Sequence, residues 1–137
     1  MAWLLDINVI SEFRKGPRCS ERVLQWYQGV NIDEVFLSVL VLGELRFGIE
    51  NIRGRDMTAA RSLEKWMHEV EIDFGGRILP VTAEICDVWG RLSIGKRLPS
   101  IDGLQVATAL YHRLTFVTHN TRDVARSGVD YFDPFVD

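Results

Sequence analysis

At 137 residues, 47% hydrophobic and with only four prolines, the chain has the size of one domain and enough apolar side chains to bury a core, which excludes a disordered or multidomain layout. Sixteen basic against 19 acidic residues leave a net charge of −3, which is mildly unfavourable for approaching a polyanion. Contact with nucleic acid has to come from local basic clusters.

The chain opens on the strand-like run Ala2-Trp3-Leu4-Leu5 with no charged leader, and no window approaches the ~20 apolar residues of a membrane span. Apolar runs bounded by polar or turn residues predict strands at 3–6, 35–38, 78–81 and 115–118, with a weaker one at 131–132. Their near-continuous apolar character suits strands buried on both faces of a parallel sheet. After the first, Asn8 is expected to cap a helix beginning at Val9. After the second comes a helix with the stripe Leu42, Leu45 and Ile49, then a loop at 51–56.

The clearest helical period follows: Met57, Ala60, Leu63, Trp66, Met67 and Val70 share one face while Arg61, Glu64, Lys65 and Glu69 lie on the other. Gly75-Gly76 reads as a loop. Thr82 can cap a helix carrying Ile85, Val88, Trp89 and Leu92, and Pro99-Ser100 can open another carrying Ile101, Leu104, Ala107 and Tyr111. Cys19 and Cys86, both read as helical, lack zinc or disulfide spacing, so a reducing, cytoplasmic home is expected. Strands alternating with one or two helices predict a single α/β domain over residues 1–137.

Four acidic positions sit where strands end or helices begin: Asp6, Glu44, Asp102 and Asp123. Carboxylates flanked by apolar residues are costly to bury alone, so either basic partners or a metal must offset them. Each also has a plain explanation: an Asx turn for Asp6, an ion pair with Arg46 or a lysine or arginine elsewhere for Glu44, a helix N-terminal charge for Asp102 and a solvated turn for Asp123.

Read together, Leu4-Leu5-Asp6-Ile7-Asn8-Val9-Ile10-Ser11-Glu12, Glu44-Leu45-Arg46-Phe47-Gly48-Ile49, Ile101-Asp102-Gly103-Leu104-Gln105-Val106-Ala107-Thr108-Ala109 and Val117-Thr118-His119-Asn120-Thr121-Arg122-Asp123 resemble the successive blocks of PIN-domain ribonucleases, most closely the VapC-type toxins of bacterial toxin–antitoxin pairs. The resemblance spans essentially the whole chain. It implies a PIN-like α/β domain with a central parallel sheet of four to five strands, helices on both sides, and an acidic crevice binding Mg²⁺ or Mn²⁺. Asp6, Glu44 and Asp102 match the first three acidic positions. At the fourth, many members place an aspartate where this chain has Asn120, and Asp123 three residues later either substitutes for it or flanks the site. Ile7 also departs from the small hydroxyl residue common there.

On this resemblance Asp6 and Asp102 are expected to bind the cation directly, with Glu44 and Asp123 acting through water or on a second ion, since Mg²⁺ keeps several waters. Asn8, Asn120 and Arg46 are expected near substrate or water. A homodimer, an RNA substrate and a cognate VapB-type antitoxin that lays a peptide across the groove are likewise implied. Basic residues Arg14, Lys15, Arg18, Arg46, Lys96, Arg97, Arg122 and Arg126 are available to grip phosphates. The aromatics Trp26, Tyr27, Trp66 and Phe47 are assigned to the core or a dimer interface.

Other chemistries fit less well. His68, His112 and His119 are isolated, whereas a metal-free ribonuclease needs an acid–base pair; only His119, beside Asn120, is placed for a substrate contact. Ser11 has no nucleophile-elbow context, and no Gly-rich phosphate loop is present. An aspartate-nucleophile phosphatase would need a second aspartate where Asn8 stands. The non-enzymatic alternative is a catalytically weak PIN-like module that binds RNA or a protein partner.

Overall fold

The computed structural model of the protein describes residues 1–92 and 98–136. Five strands, β1 (Trp3–Leu5), β2 (Val35–Ser38), β3 (Ile78–Leu79), β4 (Thr115–Val117) and β5 (Tyr131–Phe132), lie side by side in the order β3-β2-β1-β4-β5. Every neighbouring pair is parallel, with Trp3 opposite both Val35 and Thr115, Leu37 opposite Ile78, and Phe116 opposite Tyr131. Parallel neighbours need crossover connections. Here they are α1 (Ile7–Phe13) with α2 (Glu21–Gly29), α3 (Val39–Arg53) with α4 (Met57–Phe74), α5 (Ala83–Leu92) with α6 (Ser100–His112), and the single-turn α7 (Thr121–Val124). The expected parallel sheet is present, with two helices in each of three crossovers.

Successive side chains of a strand point to opposite faces. Leu5 and Val117 therefore pack with Val9, Val41, Ile49 and Met67 of α1, α3 and α4, while Leu4 and Phe116 pack with Val106 and Ala109 of α6. Burial on both faces explains why these strands show no polar alternation. Of the expected α4 stripe, Ala60, Met67 and Val70 are buried and Leu63 and Trp66 partly so, while Met57 at the helix start is exposed.

The helix ends follow the cap chemistry of their flanking residues. Ser38 Oγ accepts from the Leu40 amide at 3.1 Å, Asp56 from Ala59 at 3.0 Å, and Thr82 Oγ1 from Ile85 at 3.2 Å, the last as expected. The first cap differs from the expectation: α1 starts at Ile7, and Asp6, not Asn8, accepts from the Ile7 amide at 2.8 Å. Asp6 sits one residue earlier in extended conformation, φ −76° and ψ 162°, which is where a cap side chain reaches back to the helix. The loop expected at 51–56 is also shorter, because α3 continues through Arg53. Its last turn is held by Arg53, which pairs with Glu50 and Glu64 at 3.0 Å. Cys19 falls between a 3-10 turn and α2, outside any α-helix, whereas Cys86 lies on α5 as read.

Trp26 packs edge-on against Trp3 at 5.3 Å, and Tyr27 stacks on Phe13 at 4.5 Å, so both belong to the interior aromatic cluster. Phe47 does not. Two positions beyond Leu45, it turns to the outer face of α3 and is 70% exposed. Among the described residues no helix is long and apolar enough to cross a membrane.

Gly103, in the first turn of α6, has a packing reason to be glycine. A Cβ there would stand 2.9 Å from Nε1 and 3.0 Å from Cδ1 of Trp89 on α5, closer than unbonded atoms tolerate. Gly103→Ala is expected to force the indole or α6 aside and to cost about 1–3 kcal/mol of stability, read by urea unfolding, because overpacking outweighs the helix propensity gained by alanine. The neighbouring Asp102 would move with it.

Candidate active site

The strand order reverses at β1: the chain adds β2 and β3 on one side, then crosses to place β4 and β5 on the other. Such a switch point leaves a crevice beyond the carboxyl ends of the two central strands. Asp6 follows β1 there, its amide donating to Val117 O at 2.9 Å, and Thr118 follows β4. The topology thus brings together two stretches more than a hundred residues apart.

Asp6 is only 6% exposed and accepts four hydrogen bonds: from Ile7 N at 2.8 Å, Thr118 Oγ1 at 2.7 Å, Asn8 Nδ2 at 3.3 Å and Gln105 Nε2 at 3.4 Å. All four donors are neutral. Among the described residues no ion pair engages Asp6, Glu44 or Asp102. Glu12, a buried carboxylate nearby in sequence, shows the contrast: it accepts from Lys15 Nζ at 2.8 Å and Ser20 N at 2.7 Å, and its carboxyl is held below the usual range chiefly by the lysine bond.

Glu44 on α3 and Asp102 on α6 are half-buried around Asp6. Burial first, then the charges of Asp6 and Asp102, push the Glu44 carboxyl up to about 7, against a hydrogen bond from Gln105 Nε2 at 3.1 Å. Burial, then the charges of Asp6 and Asp123, also raise the Asp102 carboxyl. Three carboxyl groups crowded together without a base are a site short of positive charge. Of the two ways to offset the carboxylates, basic partners are absent among the described residues.

Asp123, on α7, is exposed; Asn120 donates to it at 3.2 Å, and its charge reaches Asp102. It lies on the rim of the group. Asn8 braces the two strands, donating to Asp6 and, at 3.5 Å, to Thr118 Oγ1 while accepting from His119 N at 3.2 Å. Arg46 is elsewhere: it pairs with Glu50 at 3.2 Å and with Glu64 of α4, since two helical positions from Glu44 place it on a different face. The expected Glu44–Arg46 pair is therefore not formed. His119 is stacked on Phe135 at 4.6 Å with a ring nitrogen 3.0 Å from Asp133. Lys15 is committed to Glu12, and Arg14, Arg18, Arg122 and Arg126 are exposed. Lys96 and Arg97 lie outside the described residues.

Two polar residues at the centre carry no motif that singles them out. Thr118 binds Asp6 from β4, supplying a hydroxyl where Ile7 has none; Gln105 touches both Asp6 and Glu44 from α6. Gln105 has one signal, its place three residues after Asp102 and hence on the same helical face.

The donor set suits a hard divalent cation, for which carboxylate and amide oxygens are the preferred ligands. Among the described residues no three acidic, histidine or cysteine side chains enclose an ion by themselves. Mg²⁺ does not require that, being held usually by one or two carboxylates with several waters. A cleft leads outward from Glu44 between α1, α3 and α4, lined by Ile7, Ser11, Arg14, Leu45 and Trp66.

Comparison with known proteins agrees with this architecture. The toxin FitB of Neisseria gonorrhoeae is 31% identical over 98% of this chain and 99% of its own length. The VapC ribonuclease Y4jK of Sinorhizobium fredii is 30% identical over 96% of each. The crystal structure of FitAcB from Neisseria gonorrhoeae superimposes with a TM-score of 0.87 at 30% identity, covering 97% of this chain and 98% of that one. The family model described as PIN domain matches residues 3–127, and the chain belongs to the PIN-domain family.

Proposed function

We propose that the protein is a Mg²⁺- or Mn²⁺-dependent endoribonuclease and the toxin of a toxin–antitoxin pair. The observation that supports this most is the buried Asp6 at the switch point, with two half-buried carboxyl groups raised by burial and then by its charge, and no base among the described residues to offset them. Its likeness to a named toxin and a named ribonuclease over nearly its whole length supports the same reading.

Asp6 and Asp102 would hold the cation directly, with Glu44 and Asp123 bound through water or to a second ion. A cation held there would supply orientation of the scissile phosphate, a lower pKa for the attacking water and neutralisation of charge on the leaving oxygen. Thr118 and Ile7 N fix the Asp6 carboxylate through their hydrogen bonds, so its oxygens need not reorganise. Water adds to phosphorus in line with the departing 3′ oxygen, leaving a 5′ phosphate and a 3′ hydroxyl. Exposed Arg14, Arg18, Arg122 and Arg126 would steer the RNA backbone.

The antitoxin would lie along the cleft beside Glu44, where apolar Leu45 and Trp66 suit a peptide, and place a cationic side chain among the carboxylates. A homodimer would join two such crevices. Purified, antitoxin-free protein incubated with total RNA is expected to cut in Mg²⁺ or Mn²⁺, to stop in EDTA, and to resume when the ion is restored, with 5′-phosphate ends read by sequencing. Cutting that persists in EDTA would overturn the metal reading. No cutting with any ion would favour the binding module.

A further inference from the structure

We infer that Gln105 is a positioning residue whose side-chain amide ties Asp6 to Glu44 and sets the two carboxylates at their working separation before a cation arrives. The inference rests on the metal-dependent reading above. Gln105 is fully buried, on the face of α6 that carries Asp102 one turn earlier. Its Nε2 has two hydrogens and two acceptors, Asp6 Oδ1 at 3.4 Å and Glu44 Oε1 at 3.1 Å. The amide therefore joins the end of β1, the middle of α3 and the first half of α6.

The orientation is fixed by charge. Turning the amide over would set its oxygen against two carboxylates, so the nitrogen has to face them. Among the described residues its Oε1 is left buried with no partner. An unpaired buried acceptor is destabilising, and an apolar side chain of the same length would fill the space without that cost. Packing alone thus does not account for a glutamine at this position.

What the amide does supply is a neutral donor between two groups of like charge. Asp6 has three other donors, from Ile7, Asn8 and Thr118, none of which reaches Glu44. Among the described residues Gln105 is the one hydrogen-bond donor at Glu44. Without it α3 and β1 would present carboxylates that repel one another and settle at whatever distance packing allows. Hydrogen bonds behind metal ligands are worth roughly 10- to 100-fold in metal affinity or activity.

Gln105→Met keeps the volume and removes the donor. With circular dichroism and melting to confirm folding, Mn²⁺ affinity measured by electron paramagnetic resonance is expected to weaken about tenfold or more. Turnover should fall by a similar factor, while KM for RNA, set by the exposed arginines, stays within about twofold of the parent. Mn²⁺ binding by Gln105→Met equal to that of the parent would overturn the inference and leave the metal reading intact. A parent protein that binds no Mn²⁺ would remove both. If Gln105→Met does not fold, the side-chain amide protons of Gln105 in the parent serve instead: their nuclear magnetic resonance signals are expected to shift as Mg²⁺ is added, and signals unmoved at saturation would refute the role.

Discussion

Asp6→Asn is expected to lower RNA cleavage at least about 100-fold while leaving the fold in place, because it removes the direct metal contact proposed for Asp6 and no packing element. The substitution is isosteric, and Asp6 lies at a point where the backbone is already held by its amide bond to Val117 O. Its side chain accepts four hydrogen bonds and donates none. An asparagine keeps one acceptor oxygen for the Ile7 amide and turns an NH₂ toward Thr118 Oγ1, which can rotate to accept. The charge that a cation needs is gone. Cleavage of total RNA in Mn²⁺ by the variant at the parent rate would remove Asp6 from the site.

The second large effect is on stability. Glu44 titrates near 4.5 in an unfolded chain and at about 7 in the folded one, because burial and the neighbouring charges disfavour its ionised form. Between those values the folded state holds a proton that the unfolded state has released. Stability therefore falls as pH rises from about 4.5 to 7, and the penalty is fully present above that. Asp102, raised for the same reasons, adds in the same direction. Solvent screens a half-buried group, so the Glu44 contribution is reduced to roughly 1–2 kcal/mol.

Urea unfolding without metal should accordingly show the parent losing that much between pH 5 and pH 8. Glu44→Gln, which cannot ionise, should keep it and be more stable than the parent at pH 8 while losing cleavage. A site assembled for charge binding is expected to carry this conflict between stability and activity. Adding Mg²⁺ at pH 8 should restore the parent by binding only the folded form. A parent whose stability rises from pH 5 to 8 without metal would contradict the crowding of carboxylates on which the site reading depends.

Much of this arrangement could be read from residues alone, for identifiable reasons. Runs such as residues 35–37 are strands because no polar residue interrupts a segment buried between helices, and α4 declares itself through the apolar stripe from Met57 to Val70. Asp6, Glu44 and Asp102 drew notice beside Leu5, Leu45 and Ile101, but each had a plain explanation, and only the resemblance of their blocks to PIN-domain ribonucleases grouped them. What could not be read was the partner. That Thr118 binds Asp6 depends on β4 lying beside β1, and strand order follows from packing of crossover helices, not from any local pattern.

The same limit explains the misplaced details. Asn8 and Asp6 are both good cap residues, and only the extended backbone at Asp6 decides between them. Arg46 looked like a partner for Glu44 when helix phase was ignored; α4 supplies Glu64 on the side that Arg46 faces. Gln105 received no reading of its own from the sequence, though it is fully buried between two acids.

The two outermost strands, Ile78–Leu79 and Tyr131–Phe132, are each two residues long. An incoming peptide that sought to extend the sheet would find only a pair of free amides and carbonyls at either margin, too few to register a new strand. Newly made molecules are thereby spared edge-to-edge aggregation.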